Sequence, residues 1–258
     1  MARKPPAGLR EAGAKIEPDH PLYALIQDAY RAFDCHKPSD VDVCTQCCMP
    51  EDMAAVFFRP DIQDLPLSFV REWLNAACAT EGVGKDLWTY LLPRLLEVLA
   101  TGTEPASVGI EVSLKRFHTG VPDQWSDAQW SALDRFQRGY LESGFGPESL
   151  WPSWYLDDIL CMFTLGGWSL DDLLEQIRQM PDEALARRFH KDWCSEFGGY
   201  GSIWTTAFWD KSDGAQAMEF YTSDELRGRL EALALSDTCK EDVAQMASDV
   251  VSVIENNG

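Results

Sequence analysis

At 258 residues, with 45% hydrophobic and 25% charged side chains, the chain has the make-up of a folded protein, which argues against intrinsic disorder, and it is long enough to bury one large core or two modest ones. Its 42 acidic residues against 22 basic ones leave a net charge of −20, a surface that repels phosphate backbones and anionic lipid and so argues against nucleic-acid and membrane binding. Such a surface suits solubility, and it would also attract a basic protein partner.

Residues 1–18, with Pro5, Pro6, Gly8, Gly13 and scattered charge, read as a flexible leader. They lack the continuous apolar stretch of a secretory signal, and no run in the chain is long enough to span a bilayer. The expected location is cytoplasmic, where thiols stay reduced. Asp19 offers a helix cap, and Leu22, Leu25, Ile26, Ala29 and Phe33 follow at helical spacing.

That helix leads into "CHKPSDVDVCTQCC", residues 35–48, which holds Cys35, His36, Cys44, Cys47 and Cys48, half of the chain's eight cysteines. Three readings fit. Cys44 and Cys47 at C-x-x-C spacing suit one tetrahedral zinc, with Cys35 or His36 as a third ligand and Cys48 or water as the fourth. A bound structural zinc would contribute about 10 kcal/mol or more to folding. The same spacing suits a dithiol–disulfide couple, although no strand–helix–strand setting surrounds it. The plainest reading is small apolar side chains packing a turn. Cys78, Cys161, Cys194 and Cys239 stand alone and read as core.

Beyond a short apolar piece at 53–58, Pro66 opens a helix whose inner face is Leu67, Val70, Trp73, Leu74, Ala77 and Cys78. "KDLWTYLLPRLLEVLA" is apolar on most sides and predicts a deeply buried helix that Pro93 kinks or restarts. Arg94 within it needs a partner, because an unpaired buried guanidinium is costly. Glu97 or a distant acid can serve, and an anionic ligand is the alternative that makes Arg94 a cofactor-binding candidate. "EGVGKDLW" does not complete a phosphate loop: Ala79 stands at the first glycine position and Asp86 follows Lys85.

"SVGIEVSL" alternates like a strand, yet Ile110, Leu114 and Phe117 also fit a helix, which the helical neighbours favour. Three helix starts carry a cap, an acid or amide three residues on, and a flanking apolar pair. They are Ser126/Gln129 with Trp125 and Trp130, Ser169/Asp172 with Trp168 and Leu173, and Thr222/Glu225 with Tyr221 and Leu226. Further helices are predicted over 182–196 and 241–255. Residues 198–214, rich in Gly and aromatics, read as an irregular connector, a hairpin or a binding lip. The pairs Asp157–Asp158 and Asp171–Asp172 suit either a divalent cation or a first helical turn. His118 and His190 belong to no recognisable nucleophile motif.

"CTQCC" at 44–48, "DLWTYLLPRLLEVL" at 86–99 and the Trp125, Trp130, Leu133, Phe136 pattern together resemble a family of uncharacterised bacterial proteins. The resemblance implies that Cys44, Cys47, Cys48, Pro93 and Arg94 belong to one design, and it implies no activity.

The sequence therefore predicts an all-α protein, an irregular antiparallel helical array with at most one small β hairpin, forming one domain over 19–258. The function expected is a cytosolic acidic binding protein, with Cys35, His36, Cys44, Cys47 and Cys48 as the candidate ligands of a structural zinc. Its partner would be a basic protein, such as a toxin that an immunity-type protein neutralises. The alternative is a thiol- or metal-dependent enzyme using Cys44, Cys47 and Cys48.

Overall fold

The computed structural model describes residues 13–45, 48–76, 83–146, 149–151, 153–195 and 201–257. Among them there are α-helices and short 3-10 turns and no strand, so the fold is the all-α helical array that the periodicity predicts. No helix among the described residues is long and apolar enough to cross a membrane. The residues cluster into two compact units, Met1–Tyr140 and Leu141–Gly258. The division falls inside a continuous helix, so no linker composition marks it in the sequence expected to form one domain.

The first unit is built on α4, Lys85–Ala100, which follows α1 (Tyr23–Ala32), α2 (Glu51–Ala54) and α3 (Leu67–Asn75). Every residue of α4 from Leu87 to Ala100 except Thr89 is buried. A helix apolar on all sides has no solvent face and must sit at the centre of its unit. α4 runs continuously through Pro93 rather than restarting there. α1 packs on it through Ile26, Ala29 and Tyr30. The Trp73 and Trp88 rings stack at 6.0 Å, and each indole finds an acceptor, Val41 O (2.9 Å) and Thr119 Oγ1 (3.0 Å). The alternating "SVGIEVSL" forms a 3-10 turn at Ile110–Val112, with Ile110 and Leu114 inward and Val108 exposed. α5, Asp127–Ser143, starts on the predicted reciprocal box of Ser126 and Gln129.

Arg94 is fully buried, and the chain itself satisfies it. It donates to Leu65 O (3.0 Å), Ala14 O (2.9 Å), Gly13 O (2.6 Å) and Glu97 Oε2 (2.7 Å). Glu97 also accepts from the Tyr30 hydroxyl (2.7 Å) and lies 3.5 Å from the Ile16 amide. Burial and the Glu97 charge push the Tyr30 phenol far above its usual range. Residues 13–18, expected to belong to a flexible leader, are therefore held against the core, and Ile16 is buried. Helix α1 starts at Tyr23 without a cap from Asp19, and the imidazole of His20 accepts the Leu22 amide instead (3.1 Å).

The second unit contains α6 (Leu156–Gly166), α7 (Leu170–Arg178), α8 (Asp182–Trp193), α9 (Lys211–Tyr221), α10 (Asp224–Ala234) and α11 (Glu241–Asn257). Helices α8, α10 and α11 pack on one another, α6 packs on α7 and α8, and α7 on α9. α6 is buried continuously from Leu156 to Phe163 and ends at Gly167, whose φ of 102° suits a residue without Cβ. Ser169 caps α7 as predicted (Asp172 N to Oγ, 3.3 Å). The cap of α10 lies one residue later than predicted: Ser223 Oγ accepts from Leu226 (3.2 Å), while the Thr222 hydroxyl bonds back to Met218 in α9. Arg229 clamps the α7–α8 turn through Arg178 O, Met180 O and Asp182, each at 2.7 Å.

Replacing Glu97 with Gln leaves the Arg94 charge buried without its carboxylate. We expect about 3–5 kcal/mol of destabilisation, seen as a lower urea midpoint at unchanged slope. An unchanged midpoint would show that the backbone carbonyls alone suffice.

Candidate functional site

Residues 201–210, between α8 and α9, form an irregular loop with two exposed aromatics, Trp204 (43% exposed) and Phe208 (36%). The first turn of α6 explains how so polar a segment is fixed. An α-helix leaves its first amides unpaired, and acids are favoured there. Asp158 plays that local part by accepting the Tyr155 amide (3.0 Å). The adjacent Asp157 turns to the loop and beyond. Its Oδ2 accepts from the Thr206 amide (2.6 Å) and the Trp209 indole (2.9 Å), and its Oδ1 from the Tyr221 hydroxyl (3.0 Å). The Asp157–Asp158 pair, weighed above as a cation site or a helix start, thus starts the helix and anchors the loop.

The exposed ring of Trp204 lies against Tyr155, centroids 5.2 Å apart, with its indole N–H 3.4 Å from Asp158 Oδ1. An indole that donates to a carboxylate gains electron density on its face, which is the part that attracts cations. Asp210 caps α9 by accepting from Ser212 (2.9 Å) and Asp213 (3.0 Å), and these bonds hold its carboxyl below the ordinary range. Burial and then Asp210 move the Asp213 carboxyl the other way. Burial, reinforced by Asp157, raises the Tyr221 phenol well above its usual value. From 201 to 225 the chain has one basic residue, Lys211, against Asp210, Asp213, Glu219, Asp224 and Glu225. The lip is therefore aromatic and acidic, with a rigid base.

The cysteine segment is anchored differently. Trp73 bonds to Val41 O, and Asp42 Oδ2 accepts the Gly84 amide at the start of α4 (2.8 Å). Among its described residues, Val41, Val43 and Met49 are buried. Cys35 and His36 are exposed, and Cys44 and Cys48 are half-buried. The valines and Met49 are buried more deeply than Cys44 and Cys48, and Cys35 lies on the surface. A bond from Met49 N to Cys44 O (3.0 Å) closes the turn. Cys47 lies outside the described residues. Among those described, no group of three or more His, Cys, Asp or Glu is placed to hold a metal ion, so Cys35, His36, Cys44 and Cys48 are not assembled as such a set. Partial desolvation, with Asp34 and Asp86 nearby, raises the Cys35 thiol and works against its thiolate.

Of the remaining cysteines, Cys161 is buried as expected, Cys194 and Cys239 are half-buried, and Cys78 lies outside the described residues. Burial and Asp249 push the Cys194 thiol up to about 11. The Arg94 donors already go to Glu97 and three carbonyls, in a position with no solvent exposure. His118 is exposed, and His190 lies 3.4 Å from Asp249.

No protein-family model, curated protein or solved structure matches this chain.

Changing Asp157 to Asn places an amide where three donors converge. Hydrogen bonds to a charged group are worth about 1.5–3 kcal/mol, so a loss on that order is expected, with greater acrylamide quenching of tryptophan emission. Unchanged quenching would show that the carboxylate does not hold the lip.

Proposed function

We propose that the protein is a cytoplasmic acidic helical binding protein whose partner is a basic protein, taken at the 201–210 lip and held there in a neutralising complex. The observation that carries this proposal is the pair Trp204 and Phe208, exposed on a loop fixed from beneath by Asp157 and Asp158. Aromatic side chains are typical anchors at protein interfaces, and a lip that is already ordered loses little entropy on binding. A Lys or Arg of the partner gains twice, from the Trp204 face and from the carboxylate behind it. The surrounding negative charge speeds encounter and makes association depend on salt.

The test is surface plasmon resonance with an immobilised Lys/Arg-rich peptide and an acidic peptide of equal length as control. The basic peptide alone is expected to bind, more weakly as salt rises. The Trp204→Ala, Phe208→Ala double variant should lose roughly 2 kcal/mol, about thirtyfold in affinity. Equal affinity in the double variant would reduce the attraction to net charge and sink the lip.

A second reading is zinc held by Cys44, Cys47 and Cys48, as a structural ion or as part of a thiol centre. Its support is the C-x-x-C spacing of Cys44 and Cys47 with Cys48 adjacent. Its test is the metal content of untagged protein purified without chelator. Near-stoichiometric zinc, lost in the Cys44→Ser, Cys47→Ser variant, is the expected result. Metal-free protein that gains no stability from added zinc would dismiss the site.

A further inference from the structure

The second unit carries a cleft of about 440 Å³ beside α8, a size typical of small-molecule sites. One wall is α8 itself, whose "ARRFHK" run places Arg187, Arg188, His190 and Lys191 along the opening. In a chain with almost twice as many acidic as basic residues, such a concentration of positive groups around one concavity runs against the composition.

The cations differ in how far they are already committed. Arg188 is buried and pairs through Nε (2.9 Å) and one terminal nitrogen with Asp192, which also accepts the Leu156 amide (2.9 Å). The nitrogen paired with Asp192 also lies 3.4 Å from Trp154 O, and the other terminal nitrogen lies 3.4 Å from the Ser149 hydroxyl. Arg187 is exposed and loosely paired with Asp242 (3.6 Å), and His190 with Asp249 (3.4 Å). These two α11 carboxylates offset part of the field. Lys191 donates to Trp151 O (3.2 Å), and among the described residues no carboxylate forms an ion pair with it. Burial and the neighbouring Arg188 favour the neutral amine of Lys191, and Asp192 opposes them.

The wall opposite is fixed. The Trp151 ring occupies the place where a side chain at residue 144 would be, so that a Cβ there would lie 2.3 Å from it. Phe145 packs edge-on against the same ring, and the Arg188 guanidinium lies 5.4 Å from its centre. Phe145 and Met246 add apolar surface to the lining.

We infer that this cleft binds a small organic oxyanion, its carboxylate or phosphate seated on Lys191 and Arg188 and its apolar body against Phe145 and Met246. The site is separate from the lip and does not depend on it.

The experiment is isothermal titration of the full chain with phenyl phosphate and with benzoate, using inorganic phosphate and benzyltrimethylammonium as controls. At least one aromatic anion is expected to bind, the tighter of the two identifying the head group, with inorganic phosphate weaker and the cation silent. Lys191→Met should weaken binding about tenfold, and Lys191→Arg should restore much of it. Ala184→Phe, which fills the cleft without removing a charge, should weaken it as well. Thermal melting checks that each variant folds. Failure of both anions to bind, equal binding of the cation or of inorganic phosphate, or an unchanged affinity in Lys191→Met would overturn the inference.

Discussion

A charge can stay inside a protein only if every direction in which it looks for water supplies a hydrogen bond instead. Arg94 obeys this condition in the first unit. It sits in the middle of α4, a helix apolar on nearly every side, and its donors are met by Glu97 and by carbonyls at residues 13, 14 and 65. Those carbonyls come from two segments that also bury Ile16 and Leu65, so the guanidinium ties together pieces of chain that the core already holds by apolar contact. Tyr30 then joins α1 to the same carboxylate. One buried pair thereby joins α1, the Ile62–Asp64 turn that ends at Leu65, and the chain that precedes α1.

The second unit obeys the same condition with the sign reversed. Asp157 is buried at the start of α6 and takes its hydrogen bonds from Thr206, Trp209 and Tyr221. Asp192 is buried near the end of α8 and is met by Arg188 and the Leu156 amide. Burial pushes the Asp192 carboxyl upward and the Arg188 guanidinium pulls it back. Each carboxylate thus ties α6 to a part of the chain far along the sequence. The surface follows from these ties. One orders a loop with exposed aromatics in acidic surroundings, and the other leaves Arg188 beside a basic cleft.

Much of the architecture is legible in the sequence because helix starts are local. Ser126, Gln129 and Ser169 cap where their spacing says they should, and the apolar circumference of α4 announces its burial. Misplacement by one residue at Thr222 reflects two adjacent hydroxyls, Thr222 and Ser223, either of which fits a capping pattern. Long-range partners are a different matter. Spacing identifies Glu97 as a mate for Arg94, three residues away, but nothing local points to Gly13, Ala14 or Leu65. The loop at 201–210 stands out by its aromatics, yet its anchor at Asp157 looks like an ordinary acid in a first turn. The α8 cleft is hidden further still. "ARRFHK" reads as a solvated helix face, and the rest of the cleft lining, Gly144, Phe145 and Met246 among it, comes from positions far along the chain.

The partners of Asp157 lie 49, 52 and 64 residues later in the chain. While the protein is being synthesised, α6 leaves the ribosome with that carboxylate unmatched, and the match is complete only after Tyr221 has emerged. Burying α6 before then would leave a charge without donors, which is costly. Closing loops of such length also has an entropic cost that local helix formation does not. Completing the Asp157 network and ordering the aromatic loop are therefore one event, since the donors that match the carboxylate belong to that loop and to the helix after it.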